Sequence, residues 1–313
     1  MGYLKLIVGF ILLIYSGNFL VKGGVSLAKI FKIPTLVIGL TVVSLGTSLP
    51  ELFVSAQAAF KGYPEMAIGN VIGSNIANIA LVLGITAIVL PLNVKKTSVF
   101  FDTPYMIIIS ILLYILLKDH TFGFFEGLIF VLLLITYVFW TFKKASINHE
   151  VSITDKNNTS DYSLSLSILI IIASSVGLKF GAEFLVDGAV FIAKKFNVSE
   201  TIISVTMIAF GTSVPELATS IIAAIKKEPD ISVGNIVGSN IFNILGVLGV
   251  TSMIKKINIM DESILNFHIY WMLAIAIILF FSLLPVFKLK LNRFKGLLYL
   301  IFYIAYILIM FKK

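Results

Sequence analysis

Apolar residues run along the chain in long stretches that are separated by short polar connections. A helix that crosses the hydrocarbon core of a bilayer needs about 20 consecutive apolar residues, and ten stretches meet this requirement. The ten predicted spans are 3–30, 36–60, 66–91, 98–117, 123–142, 163–195, 201–225, 231–254, 263–285 and 293–311. The pattern therefore predicts an all-α membrane protein with ten transmembrane helices.

The composition supports this class of protein. Of the 313 residues, 58 % are hydrophobic and 13 % are charged, and the mean hydropathy is +1.04. Soluble domains have about 45–50 % apolar and about 25 % charged residues. The formal net charge of +8 comes from Lys and Arg residues scattered between the apolar runs, which is typical of loops at a membrane surface and not of a nucleic-acid-binding face. Because the chain has no cysteine, disulfides and thiolate metal sites are excluded.

The chain contains an internal repeat. Residues 41–84 align without a gap onto residues 206–249, with 23 identities in 44 positions. Each copy lies in a half of five predicted spans, and two halves with an odd number of spans must enter the membrane from opposite sides. We therefore expect two inverted repeats of five helices, an arrangement typical of secondary transporters. The polar positions are the most similar between the copies, which packing alone would not predict.

A hydrophilic stretch at 143–162 divides the two halves. We interpret it as a linker between a first repeat at 1–142 and a second repeat at 163–313. Nine Lys and Arg residues are predicted on the side of the chain termini, and thirteen on the side of the linker. By the positive-inside rule, this bias favours a cytoplasmic linker with both termini outside the cell.

Spans two and seven each carry the motif Gly-Thr-Ser-x-Pro-Glu near the middle of the membrane, at 46–51 and 211–216. A carboxylate at the bilayer centre costs roughly 2.5–3.5 kcal/mol on insertion scales. Neither helix supplies a Lys or Arg nearby to offset this cost. The side chains of Glu51 and Glu216 would converge on the pseudo-two-fold axis and repel each other, so a cation between them is the simplest partner.

The prolines of these motifs add backbone oxygens to the candidate site. Pro50 and Pro215 have no N–H to donate to the carbonyl four residues earlier, and their rings push that carbonyl aside. We therefore expect free carbonyl groups at 44–47 and 209–212. Irregular backbone at this depth is tolerated where it lines a cavity or is buried in protein.

Spans three and eight each carry Gly-Ser-Asn-Ile-x-Asn. Ser74 and Asn78 are four residues apart, as are Ser239 and Asn243, so each pair shares one helix face. The candidate ligands are thus all oxygen atoms from carboxylate, hydroxyl, amide and carbonyl groups. Ca²⁺ takes about 6–8 such oxygens, whereas a site without His or Cys argues against zinc, copper and nickel.

These motifs resemble the α-repeats of the calcium/cation antiporter superfamily, specifically its sodium/calcium exchanger branch of the prokaryotic type. The resemblance covers the whole chain in topology and is specific in 41–84 and 206–249. It implies antiport of Na⁺ and Ca²⁺ by alternating access, without a cofactor. In this family the first and sixth spans slide across a core of the other eight.

The resemblance also implies a role for each candidate residue. Glu51 and Glu216 would bind Ca²⁺ directly, together with the carbonyl groups of Thr47 and Thr212. Asn78 and Asn243 would line the centre, and flanking Na⁺ sites would be completed by six further residues. These are the side chains of Ser48, Ser74, Ser213 and Ser239 and the carbonyls of Ser44 and Ala209.

Departures from related branches bear on the coupling ion. Asn243 stands where the potassium-dependent exchangers carry Asp. A neutral amide cannot supply the negative charge of a third ion site, so this residue argues against potassium co-transport. Gly73 and Gly238 stand where the proton/calcium exchangers usually carry Glu. The alternative of an H⁺-coupled antiporter of Ca²⁺ or another divalent cation is weakened but stays open, because a buried Glu can carry a proton.

Other functions fit the sequence less well. An intramembrane hydrolase would need a base such as His or Lys beside a nucleophilic Ser, and none is positioned there, so we expect no enzyme. A passive channel fits poorly because a cage of many oxygens retains ions. Asn75 and Asn240 are open between ligation and interhelical hydrogen bonding. Beyond the two ions and the lipid bilayer, the sequence indicates no protein or nucleic-acid partner and is compatible with a monomer.

Overall fold

The computed structural model describes residues 2–147, 162–196 and 211–310. Within these ranges, nine helices are long and apolar enough to cross a membrane, and a shorter apolar helix accompanies them. The helices are α1 (Gly2–Phe31), α2 (Thr35–Phe60), α3 (Glu65–Val89), α4 (Ser98–Asp119), α5 (Phe124–Ile147), α6 (Leu164–Lys195), α7 (Val214–Ile225), α8 (Pro229–Ile254), α9 (Ile264–Ser282) and α10 (Arg293–Met310).

Each predicted span corresponds to one of these helices, with ends that differ by a few residues. The first half of the seventh predicted span, at 201–210, lies outside the described residues, and so does nearly all of the linker. The all-α prediction holds for the described chain, in which strands are limited to four segments of two residues each.

Two short antiparallel strand pairs join the repeats at opposite ends of the bundle. Strand β1 (Leu92–Asn93) pairs with β4 (Lys290–Leu291), and β2 (Thr121–Phe122) pairs with β3 (Ile257–Asn258). If the ten helices cross the membrane alternately, β1 and β4 lie at the end where α5 leads into α6, which we name the linker side. Strands β2 and β3 then lie with the chain termini, on the terminal side. Both pairings therefore agree with ten alternating crossings and repeats of opposite orientation.

The buried apolar side chains form two separate clusters. The larger cluster is built by α2 to α5 and α7 to α10, and neither α1 nor α6 contributes to it. The smaller cluster joins α1 and α6 to parts of α2, α7 and α8. The pair of α1 and α6 thus packs on the outside of a core made by the other eight helices.

Close backbone contacts hold α1 and α6 together. A Cβ atom at Gly9 would lie 2.5 Å from the backbone nitrogen of Leu185, so only glycine permits this approach. A Cβ atom at Gly188 would meet the backbone of α1 at 2.7 Å. The ammonium of Lys5 also lies 2.7 Å from a carboxylate oxygen of Asp187. The two helices are therefore in contact along much of their length.

Several helices contain a π-helical turn at equivalent places in the two repeats. In α3 the π-helical segment is Asn78–Leu83, and in α8 it is Asn243–Leu248. In α4 and α9 the segments are Ser98–Asp102 and Ile264–His268. Such turns occur frequently at functional sites, and two of them begin at a predicted site residue.

Candidate functional site

The predicted site residues lie deep in the protein. Eleven of the twelve fall in the described part of the chain, and ten of these are buried. Thr212 is partly exposed and lines a cavity, while Ala209 lies outside the described residues. The buried ten are Ser44, Thr47, Ser48, Glu51, Ser74, Asn78, Ser213, Glu216, Ser239 and Asn243.

Two hydroxyl pairs link the repeats. The hydroxyl oxygens of Thr47 and Ser239 are 3.2 Å apart, and those of Ser74 and Thr212 are 3.0 Å apart. Thr47 corresponds to Thr212 in the repeat, and Ser74 corresponds to Ser239, each at an offset of 165 residues. The two contacts are therefore related by the pseudo-two-fold axis. The first joins α2 to α8, and the second joins the turn before α7 to α3.

Two amide pairs cross the same axis. Asn243 donates a hydrogen bond to the side-chain oxygen of Asn75 at 3.1 Å, and Asn78 donates to that of Asn240 at 3.4 Å. Asn75 also donates to the backbone carbonyl of Asn240 at 3.3 Å. Asn75 and Asn240 thus act as interhelical hydrogen-bonding residues that orient Asn78 and Asn243.

Eight buried oxygen atoms of the site have no hydrogen-bond partner among the described residues. A buried polar atom without a partner costs about 1–3 kcal/mol, and a cation bound among these atoms would offset that cost. They form four pairs at equivalent positions of the two repeats, and a cation is the ligand that accepts electron pairs from all of them. The atoms are both carboxylate oxygens of Glu51 and Glu216, the hydroxyl oxygens of Ser48 and Ser213, and the amide oxygens of Asn78 and Asn243.

The two glutamates face each other without a basic partner. The charges of Glu51 and Glu216 are close enough to act on each other, and neither forms an ion pair with a described residue. The hydroxyl groups of Thr47, Ser48 and Ser239 are neighbours of Glu216, although none makes a hydrogen bond of good geometry to its carboxylate. Two unbalanced carboxylates create the negative potential that a divalent cation requires.

Asn70 holds the backbone of the first glutamate, and the sequence analysis missed this role. Its amide donates hydrogen bonds to the hydroxyl of Ser55 at 3.0 Å and to the carbonyl of Glu51 at 3.4 Å. Helix α3 thereby fixes the turn of α2 from which the carboxylate projects.

Asn235 has the same role in the second repeat and one further contact. Its amide donates to the hydroxyl of Ser220 at 3.1 Å and to the carbonyl of Glu216 at 3.5 Å. Its side-chain oxygen accepts a hydrogen bond from Thr47 at 2.9 Å. The identity of both Asn residues and both Ser residues between the repeats is the signal that could have revealed these anchors.

The prolines affect the two repeats differently. Helix α2 continues through Pro50, and the carbonyl oxygen of Ser44 lies 3.2 Å from the Thr47 hydroxyl oxygen. A carbonyl oxygen has two lone pairs, so the Ser44 carbonyl keeps at least one for a ligand, and its predicted role stays a prediction. In the second repeat the chain makes a turn at 212–213, and α7 begins at Val214.

A cavity of about 680 Å³ reaches this site from the terminal side. Ser74, Asn70 and Thr212 line its inner part, whereas Asp261 in the loop before α9 and Met310 at the end of α10 line its outer part. A small ion can therefore approach the hydroxyl pair of Ser74 and Thr212 from one side of the membrane.

The inverted repeats, the buried oxygen atoms at equivalent positions of both repeats and the cavity to one side are the features of a secondary transporter of cations. The family described as sodium/calcium exchanger protein matches residues 1–143 and 166–312, and the chain belongs to this family. The resemblance seen in the two repeats is thus confirmed, and with it Na⁺/Ca²⁺ antiport as the activity of the family.

Individual proteins agree with this assignment. The putative antiporter CaxA of Alkalimonas amylolytica is 38 % identical over 98 % of this chain and 98 % of its own length. The sodium/calcium exchanger MaX1 of Methanosarcina acetivorans is 29 % identical over 99 % of this chain and 98 % of its own. Among solved structures, the sodium-calcium exchanger NCX_Mj soaked with zero Na⁺ and Ca²⁺ has a TM-score of 0.82 and 34 % identity, covering 99 % of this chain and 98 % of that one. The fold of inverted five-helix repeats predicted from the sequence is confirmed.

Proposed function

We propose that this protein extrudes Ca²⁺ from the cell by exchanging it for Na⁺ in an alternating-access cycle. The observation that carries the proposal is the set of eight buried, unpartnered oxygen atoms in four repeat-related pairs. Two carboxylates balance one Ca²⁺, and the neutral hydroxyl, amide and carbonyl oxygens suit Na⁺ as well. Because both ions need the same oxygens, binding of one excludes the other, and their movements are coupled.

The proposed ligands divide between the two ions. Glu51 and Glu216 bind Ca²⁺ directly, with the carbonyl groups of Thr47 and Thr212. The hydroxyl pairs on either side of the axis support flanking Na⁺ sites. The other proposed ligands are the side chains of Ser48, Ser74, Asn78, Ser213, Ser239 and Asn243 and the carbonyls of Ser44 and Ala209.

We further propose that the protein lies in the cell membrane with the linker 143–162 in the cytoplasm and the termini outside. The excess of Lys and Arg on the linker side supports this orientation. The terminal-side cavity then corresponds to a state open to the outside. The proposed boundaries of the two repeats are 1–142 for the first and 163–313 for the second.

An H⁺-coupled antiporter of Ca²⁺ or another divalent cation is the alternative. The feature that favours it is the pair of buried carboxylates without a basic partner, because each could bind a proton in place of Na⁺.

Uptake of ⁴⁵Ca²⁺ into Na⁺-loaded proteoliposomes diluted into Na⁺-free medium tests the proposal. We expect uptake that needs internal Na⁺, resists a protonophore, and falls at least about tenfold in Glu51→Gln and in Glu216→Gln. Glu65→Gln is the matched control, because Glu65 is exposed at the start of α3. Uptake that follows the pH gradient would favour the alternative, and uptake that persists in both variants would refute the site.

A further inference from the structure

A third carboxylate is buried in the membrane-spanning part, apart from the central site. Asp102 lies in α4 with 3 % of its surface exposed. One of its carboxylate oxygens accepts a hydrogen bond from the hydroxyl of Tyr137 on α5, at 3.1 Å. Ionisable groups within membrane helices are costly and mark ion pathways, and the proposed exchange at the central site does not involve this one.

The second repeat has a different residue at the equivalent position. The π-helical segments of α4 and α9 end at Asp102 and His268, and α5 and α10 supply a tyrosine to each. A ring nitrogen of His268 lies 2.8 Å from the hydroxyl oxygen of Tyr306. Helices α4 and α5 therefore hold a carboxylate beside a phenol, and the equivalent helices α9 and α10 hold an imidazole beside a phenol.

These two positions line cavities on opposite sides of the membrane. His268 and Tyr306 line the large cavity that reaches the site from the terminal side. Asp102 lines a smaller cavity of about 70 Å³ between the start of α2, the start of α4 and the end of α5, all on the linker side. The equivalence extends further, because Met310 and Thr141 occupy corresponding positions in α10 and α5 and also line the two cavities.

In an inverted-repeat transporter, exchanging the conformations of the halves turns a path open to one side into a path open to the other. The small cavity is then where the linker-side path forms. Its wall includes Leu40 of α2, one turn before Ser44. That turn packs directly on α8, since a Cβ atom at Gly238 would lie 2.6 Å from the Leu40 carbonyl and from the Ser44 hydroxyl. The contact separates the cavity from the central site.

The charges around the small cavity nearly cancel. Lys95 and Lys144 line it together with Asp102. Lys95 is paired with Asp230 at 2.7 Å, whereas Lys144 is the positive charge that acts on Asp102. Without the Asp102 carboxylate, Lys144 would leave a net positive charge at this mouth and repel an approaching cation.

We propose that Asp102 recruits cations to the linker-side path. Its carboxylate offsets Lys144 and raises the local concentration of Ca²⁺ where the path opens, which lowers the KM for Ca²⁺ presented from that side. The inference rests on the proposed antiport of Ca²⁺. With a cytoplasmic linker, Asp102 serves the capture of Ca²⁺ on the side where it is scarce.

Initial rates of Ca²⁺ transport in inside-out and right-side-out membrane vesicles test this role, at pH 8 and low ionic strength. Asp102→Asn removes the charge and keeps an oxygen that accepts the Tyr137 hydrogen bond. We expect the KM for Ca²⁺ on the linker side to rise about three- to fivefold, with kcat and the terminal-side KM unchanged. The rise should shrink when choline chloride is added, because salt screens the charge.

Two further variants separate electrostatics from structure. Tyr137→Phe removes the hydrogen bond and keeps the carboxyl group. Because that hydrogen bond favours the ionised form, the linker-side KM should rise less than in Asp102→Asn, and the terminal-side KM should stay as in the wild type. His268→Asp places a carboxylate at the equivalent position and should lower the terminal-side KM alone.

The outcomes are distinguishable. The inference is wrong if Asp102→Asn changes both sides equally, if the linker-side KM does not move, or if Tyr137→Phe has the same effect. If Asp102→Asn does not fold, an unchanged terminal-side KM in His268→Asp overturns it. Wild-type vesicles without Na⁺-dependent Ca²⁺ transport would instead refute the proposed function.

Discussion

Two amide side chains hold the backbone turns from which the glutamates project. Asn70 makes two hydrogen bonds and is partly exposed, whereas Asn235 makes three and is fully buried. At the scale of single residues, the site therefore consists of oxygens that we propose as ion ligands and of amides that fix those oxygens in place.

Asn235→Ala should destabilise the protein more than Asn70→Ala. The first variant removes three buried hydrogen bonds and the second removes two, so Asn235→Ala should lower the free energy of unfolding by about 1 kcal/mol more than Asn70→Ala. Thermal unfolding in detergent measures the difference, and the KM for Ca²⁺ should rise in the same order. An equal or larger loss in Asn70→Ala would contradict the assignment of the extra contact to Thr47.

Ser48→Ala and Ser213→Ala should separate ion binding from folding. Each removes a buried hydroxyl that has no partner among the described residues, so stability without ions should be unchanged or slightly higher. The increase in Tm caused by Na⁺ should become smaller, since that increase reflects binding to the folded state.

Ser55→Ala is the matched control for the two serine variants. Its hydroxyl accepts the Asn70 hydrogen bond, so this change should lower Tm with and without Na⁺ by similar amounts. If Ser48→Ala and Ser213→Ala behave like Ser55→Ala, their hydroxyls are structural and not ion ligands.

The pair of α1 and α6 packs outside the core that the other eight helices form. Its apolar contacts form a cluster separate from the core of the other eight helices, so the pair can change position without repacking that core. Glycine contacts keep the two helices close and give their interface few protruding side chains. A smooth interface of this kind suits two helices that move as one body.

Gly9→Ala should damage this pair. A Cβ atom there meets backbone atoms of α6 at 2.5 and 2.8 Å, which cannot be relieved by a side-chain rotation. We expect a loss of about 1–3 kcal/mol of stability and a marked fall in transport rate. Gly69→Ala in α3 is the control, because a Cβ atom at Gly69 meets nothing within 4 Å. A transport rate in Gly9→Ala equal to that of Gly69→Ala would refute the close contact.

At the scale of the whole molecule, one cavity leads to the site while its counterpart on the other side is small. Alternating access requires that the first cavity close when the second opens. The natural chain has no cysteine, so a single introduced cysteine reports on one position without background.

Ala58→Cys and Thr141→Cys place thiols in the terminal-side and linker-side cavities, respectively. Rates of modification by a small water-soluble thiol reagent, measured in detergent over a series of Na⁺ and Ca²⁺ concentrations, should change in opposite directions. Mass spectrometry of the intact protein measures both rates. Rates that rise and fall together would contradict alternating access through these two cavities.

The repeat explains which parts of the site could be predicted from the sequence. The two glutamates and four of the site serines recur at equivalent positions of the two repeats within the membrane, so their number and chemistry predicted a cation site. These serines are Ser48, Ser213, Ser74 and Ser239. The roles of Asn70 and Asn235 were not predicted, because an amide can ligate an ion or hold a neighbouring helix and the sequence does not show which. Asp102 carried no repeat signal, since its counterpart is His268 and their tyrosine partners are distant in the chain.

The two strand pairs have a consequence for how such a chain arose. Each pair takes one strand from each half, and exchanging the halves converts one pair into the other. A single five-helix polypeptide that inserted into the membrane in both orientations would form both pairs as identical contacts between two subunits. In such a dimer the ladder at each end of the bundle would be a subunit interface, whereas in this chain the same ladder is an internal contact.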